Sequence, residues 1–445
     1  MTALAESVHE EALRHFQGLL RIDTTNPPGH EIEAARYVEA VLAAEGVAAR
    51  IHEPAPGRAS LVARLPARRP GKGGPLLLTS HVDVVAAEPG RWKHPPFSGV
   101  VADGCVWGRG AVDMKSMTAY GLATFLLARR EGWDLSRDLI LAAVADEEAG
   151  GALGMGWLVD HRPDEVRAEY ALNEVGGFTL HVGSRRVYPV QFAEKGVCWF
   201  RLVAEGEPGH GSIQRPGSSV ARLAAAVDRL ARRPLPPRVT PQTARYVRAL
   251  ARAAGFPTGL VLRGLLVPGL AALCRRLVPA SRRPVFQALL SDTANPTCLA
   301  AGDKENVVPS RATAVVDGRL LHGSTLEGFL AEVRRQVGDD LAIEVIRHLP
   351  PSENDPDTPL FDLIREVLER ADPGAKVVPS VITGFSDAAH LARLGVKTYG
   401  YAPMKLPRDL DFAALFHGHD ERLPVDGFRF GLEAFVEVVR RFATA

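Results

Sequence analysis

Seven consecutive apolar residues, Leu139 to Ala145, constrain the fold of this chain most strongly. An apolar run without alternation reads as a strand covered on both faces, and such strands belong to parallel sheets flanked by helices. Residues 61–65 and 75–80 read as further strands, and 114–130 and 152–160 as helices. Strands alternating with helices place the chain in the α/β class, with a mostly parallel sheet. Chemistry gathers at the carboxyl ends of such strands, and Asp146, Glu147 and Glu148 follow this run at once.

A length of 445 residues exceeds what one core usually supports, so two domains are expected. Residues 1–20 read as an amphipathic helix. The texture changes near residue 188, where 187–206 look like two strands of a hairpin, followed by a helix over 218–233. A Pro/Arg-rich stretch (232–242) opens an apolar segment without a clear pattern. Strands at 298–302 and 312–321, a helix at 326–336 and a strand at 342–348 complete a split βαβ arrangement. Residues 350–359 read as a linker, and helices at 360–371 and 428–442 return to the first sheet. The expected division is 1–187 and 351–445 for one domain. An α+β domain at 188–350 is inserted into it, with an extra apolar stretch at about 234–296.

The composition, 46% hydrophobic and 24% charged, is that of a globular protein. A net charge of +1 gives no reason to expect nucleic acid or an anionic membrane as partner. The most apolar segment, 255–278, is broken by Pro257, Arg263, Pro268 and Arg275, so no membrane span is expected. Four cysteines without CxxC spacing read as reduced thiols of a cytoplasmic protein.

Acidic and histidine residues cluster after strand-like runs or in Gly-rich turns: His81-Val82-Asp83, Asp113 in GRGAVDMK, Glu147-Glu148, Glu174 in ALNEVGG, and His417 in FHGHDE. Two histidines with several carboxylates and no cysteine suit a hydrolytic zinc centre better than a structural one. Asp83 has the chemistry to fix the ring of His81, or to cap a turn. Asp113 also fits a helix N-cap. Glu147 and Glu148 are costly neighbours unless a cation neutralises them; one can bind metal while the other faces a water. Neither spacing nor chemistry separates His417 from His419. A nucleophilic serine lacks its motif, because residues 384–388 depart from GxSxG at the last position.

In this order the clusters resemble the M20 family of zinc peptidases and amidases, from IDTTNPPGHE near the start to FHGHDERLP near the end. The resemblance implies a zinc-peptidase catalytic domain with an inserted lid/dimerisation domain, and a homodimer formed through that lid. It implies two Zn²⁺ per chain, with Co²⁺ or Mn²⁺ as alternatives. The ligands would be His81, Asp113 as the bridge, Glu148, Glu174 and His417, preferred over His419 by the family's H-x-x-[DN]-E pattern. Glu147 would be the general base on a metal-activated water, and Asp83 the carboxylate behind His81. The Asp113-Met114 bond matches a cis position. His210 would stabilise the oxyanion in the partner's site, while Asn306 and Arg319 would contact substrate. For Arg319 an ion pair with Asp317 is the alternative. The substrate would be a small N-acyl amino acid or short peptide, cleaved at an amide beside a free carboxylate. The competing classes are a serine hydrolase and a silent binding relative. Residues 384–389 lack the family's usual arginine after Asp387, and the 234–296 stretch is extra: added lid core, dimer interface, or a lining for a long acyl chain.

Overall fold

The structure, a computed structural model, describes residues 4–69, 71 and 73–445; the first three residues of the expected N-terminal helix stretch lie outside these. The chain forms two compact units. One comprises residues 1–192, 354–380 and 386–445, the other 193–353 and 381–385.

The centre of the first unit is a sheet in which strands Leu139–Val144, Leu76–His81, Tyr170–Asn173 and Lys397–Gly400 lie side by side, all parallel. The hairpin Ala49–Ala55 and Arg58–Leu65 flanks them antiparallel. The apolar run behaves as its composition demands. Ile140, Ala142 and Val144 enter a core with Met155, Leu158 and Leu391. Leu141 points the other way, under helix Lys115–Arg130, where a Cβ on Gly121 would come within 2.8 Å of it. Both faces of the sheet are therefore covered, and the α/β reading with a mostly parallel sheet holds. Helix Glu6–Leu20 buries Ala12, Phe16 and Leu19, and Phe16 stacks on Phe428 of helix Val425–Ala443 at 4.9 Å.

The second unit carries a four-stranded antiparallel sheet in the order Thr293–Ala301, Arg311–Leu320, Gly196–Glu205, Ala342–Leu349. Helices Ser219–Arg232 and Leu326–Val337 share its core, where Leu223, Ala226 and Leu230 meet Phe200, Phe329 and Val333. The segment without a clear pattern forms helices Pro241–Ala254, Thr258–Gly264, Ala271–Leu277 and Arg283–Leu290.

One expectation fails. Residues 187–206 do not form a hairpin. Strand Arg185–Glu194 pairs with Leu180–Val182 and with Lys397–Gly400, whereas Gly196–Glu205 pairs with Arg311–Leu320 and Ala342–Leu349. A tight hairpin needs left-handed backbone at its turn, and no residue of the joint 194–196 adopts it. Lys195 instead turns inward, its Nζ donating to the carbonyls of Ala288 and Ser291 at 3.0 and 2.8 Å.

Candidate metal centre

The register of the parallel strands brings the predicted residues to one edge. His81 ends its strand opposite Val144, and the chain beyond Val144 leads straight into the acidic turn. Strand Tyr170–Asn173 ends at the same edge, followed by Glu174. Asp146 makes the turn with left-handed backbone, φ 70°, a conformation that Asp tolerates better than most residues.

Two groups of donors form there, and they share one residue. His81, Asp113 and Glu174 offer donor atoms within 4.8 Å of one another, as do Asp113, Glu148 and His417. His81 Nε2 lies 3.0 Å from Asp113 Oδ1 and 3.6 Å from Glu174 Oε2. His417 Nε2 lies 3.2 Å from Glu148 Oε2 and 3.4 Å from Asp113 Oδ2. His419 belongs to neither group among the described residues. Asp113 is not a helix cap, because the helix starts at Lys115 and its N-cap residue, Met114, makes no side-chain cap bond. The Asp113-Met114 peptide is cis.

The electrostatics are those of crowded anions out of water. Burial, then the charge of Glu174, pushes the Glu147 carboxyl well above the usual range. Burial, then Asp113, raises Glu148. Burial raises Glu174 to about 7, against the pull of His81. Burial opposes the charge of His81, but Glu174 and Asp113 prevail and raise it. Hydrogen bonds to Asp113 and Glu148 raise His417 to about 10. Oε1 of Glu174 is buried with no hydrogen-bond partner. Three carboxylates, one of them with an unpartnered oxygen, and two imidazoles form a donor set that divalent cations fit.

Asp83 does more than orient a ring. His81 Nδ1 lies 3.0 Å from the Asp83 carbonyl and 3.5 Å from its Oδ1. The same carboxylate accepts the backbone N–H of Glu147 and of Glu148, each at 3.1 Å, and the Asn26 amide at 2.9 Å. One buried residue thus positions the histidine through its carbonyl and the acidic turn through its carboxylate. Arg58 supports the turn from the other side, bound to Asp146 at 2.7 Å and to Glu31 at 2.8 Å. His390, which follows the departure at 384–389, is buried with Nε2 3.1 Å from the Gly150 carbonyl. It braces the acidic turn.

Sequence reasoning missed Glu421, although it closes the FHGHDE segment. Its carboxylate accepts from Arg109 Nη1 at 2.8 Å and from the N–H groups of Gly110, Val112 and Asp113 at 3.1, 2.7 and 3.1 Å. It therefore holds the loop that presents Asp113. Truncating one partner of a buried ion pair leaves the other charge uncompensated, at about 3–5 kcal/mol. Glu421→Ala is expected to lower the denaturation midpoint accordingly, with Glu421→Gln intermediate; an unchanged midpoint in urea would contradict this role.

The remaining predicted residues lie in the second unit. His210, exposed on strand Gly209–His210, pairs with Val307. Its Nδ1 accepts the Ser212 N–H at 3.2 Å, which leaves Nε2 to carry the proton of the neutral ring. The Asn306 carbonyl accepts the Gly211 N–H at 2.8 Å, so His210 and Asn306 occupy adjoining turns. Arg319 makes the ion pair weighed as its alternative, Nε and Nη2 contacting Asp317 at 2.6 and 2.9 Å.

Comparison with known proteins converges on one family. Residues 77–441 match the profile of peptidase family M20/M25/M40. The chain is 28% identical over 383 residues to the N-fatty-acyl-amino acid synthase/hydrolase PM20D1 of Mus musculus, covering 83% of this chain and 74% of that one. It is 25% identical over 446 residues to aminoacylase-1 of Sus scrofa, covering 96% and 94%. The fold matches the M20 family metallo-carboxypeptidase Sso-CP2 of Sulfolobus solfataricus with a TM-score of 0.74, at 18% identity over 98% of this chain and 100% of that one. The donor-lined sheet edge thus belongs to a hydrolase, and the chain is a member of peptidase family M20/M25/M40.

Proposed function

We propose that this hydrolase splits the amide bond of N-acyl amino acids with two zinc ions held by His81, Asp113, Glu148, Glu174 and His417. One observation carries the reading: Asp113 directs one carboxylate oxygen to each of two donor groups, so the groups are joined through a single anion. When bound, the cations would polarise a water and the scissile carbonyl.

The other steps fall to side chains. Glu147, buried at the same edge and belonging to neither donor group, takes the proton of the attacking water and passes it to the departing amine. Asp83 holds His81 through Nδ1, leaving Nε2 toward Asp113 and Glu174. His210, exposed with its Nε2–H available, is assigned to the oxyanion in the site of a second copy, which implies a homodimer. Asn306 and Arg319 are assigned to the substrate's polar end. The Nη1 of Arg319 is buried and unbonded beyond the pair with Asp317, an unmatched donor that supports the assignment to a carboxylate.

The names of the relatives favour acyl amino acids over peptides as the substrate class. Purified protein supplied with Zn²⁺ or Co²⁺ is expected to release free amino acids from N-acyl amino acids faster than it cleaves dipeptides. Turnover of dipeptides alone, followed by amine release, would assign a peptidase instead. Resistance to chelators together with fluorophosphonate labelling would assign a serine hydrolase.

A further inference from the structure

The net charge of +1 conceals an uneven distribution. Residues 234–291 contain nine arginines and neither a lysine nor an acidic residue, which leaves the rest of the chain with a net charge of −8. Eight of these arginines are exposed. The same stretch concentrates apolar surface: Phe256, Leu260, Leu270, Leu273 and Leu277 are 89, 67, 49, 58 and 63% exposed.

Helix Ala271–Leu277 shows the arrangement most plainly, because none of its residues is buried. Leu270, Leu273 and Leu277 fall on one side at i, i+3 and i+7, the spacing that normally faces a core. Here that side faces outward, with Arg276 on its flank, while Arg275 lies on the far side and donates to Gln287 Oε1 at 2.9 Å. The helix also walls an apolar cleft of about 500 Å³ with Leu265, Val267, Phe286 and Leu290. Outward leucines in a segment with eight exposed arginines are the composition of a surface that lies in a lipid interface, the apolar side chains entering the acyl boundary and guanidinium groups meeting phosphate.

We propose that the 234–291 segment is a peripheral docking surface for an anionic lipid bilayer. A second copy of the chain would have to cover this surface with acidic residues from outside the segment, because the segment itself carries none. A nucleic acid would satisfy the arginines and leave the leucines in water. An anionic amphiphilic surface answers both the arginines and the leucines.

The test uses the full chain and vesicles of phosphatidylcholine alone or with about 30% phosphatidylglycerol. Co-sedimentation is expected with the anionic vesicles at about 0.05 M salt, at least about tenfold more tightly than with neutral ones, and is expected to weaken at about 0.5 M. Leu273→Gln/Leu277→Gln and Arg276→Glu are each expected to reduce this binding about tenfold or more, with the thermal midpoint unchanged because all three residues are exposed. Absent binding to anionic vesicles, equal binding to both kinds, or binding indifferent to both variants would overturn the proposal. So would a wild-type dimer, seen by sedimentation, that dissociates in the leucine variant; that outcome would assign the face to a second copy.

Discussion

Glu147→Ala is expected to slow hydrolysis by about 10²–10⁴-fold, the range that a positioned proton-transfer group supplies. Metal content should remain at the wild-type level, because Glu147 stands outside both donor groups. The separation of the two readouts makes the result informative. A ligand would lose metal and activity together, whereas a proton carrier loses activity alone. Metal analysis on the same preparation used for the rate therefore decides between them. Retained activity would remove Glu147 from the chemistry, and lost metal would move it into the ligand set. Glu147→Gln serves as the closer control, because it keeps the shape and one acceptor oxygen while giving up the base.

Stripping the metal is expected to abolish activity and to make stability strongly dependent on pH. In the bare protein the carboxyl of Glu174 is raised to about 7 from an ordinary 4.5. A group raised in the folded state favours folding below its unfolded value and loses that contribution as pH climbs through its folded value. For Glu174 the window runs from about 4.5 to about 7, and the loss by pH 8 is on the order of 3 kcal/mol. Glu147 and Glu148 are raised by the same burial and act in the same direction. His417, raised to about 10, extends the decline to higher pH. Chelated protein should therefore melt lower at pH 8 than at pH 5.5, while protein reloaded with Zn²⁺ should recover most of its midpoint at pH 8. Equal midpoints with and without metal at pH 8 would mean that the carboxylates are neutralised by something other than a cation.

The parts of this architecture that were legible in the sequence share a physical origin. The strand over 139–144 announced itself because burial on both faces excludes every polar residue. The turn after it was conspicuous because adjacent glutamates are expensive anywhere out of water. What escaped notice depends on partners remote in the chain. Glu421 serves the loop at 109–113 from more than 300 residues away, and only folding brings the carboxylate and those amides together. The double service of Asp83 was half visible, since a carboxylate two residues from a histidine suggests an orienting role. Its bonds to the backbone of Glu147 and Glu148 required the register between two strands. The failed hairpin at 187–206 shows the converse limit. Two good strand patterns in succession say nothing about which sheet each will join when the residues between them carry no turn signal. The overall charge misled in a similar way, because a sum near zero does not report a segment with no acid in it.

The two histidines of the centre differ sharply in shelter: the side chain of His81 is 1% exposed and that of His417 is 56% exposed. On the two-ion reading, this difference ranks the positions by residence time. Solvent reaches the outer donor group through His417, so an ion there would exchange with the medium, while an ion held by His81 and Glu174 would be shielded from it. The outer position would then follow changes in the metal supply of the surroundings, and the inner one would retain whatever cation it received early in the life of the molecule.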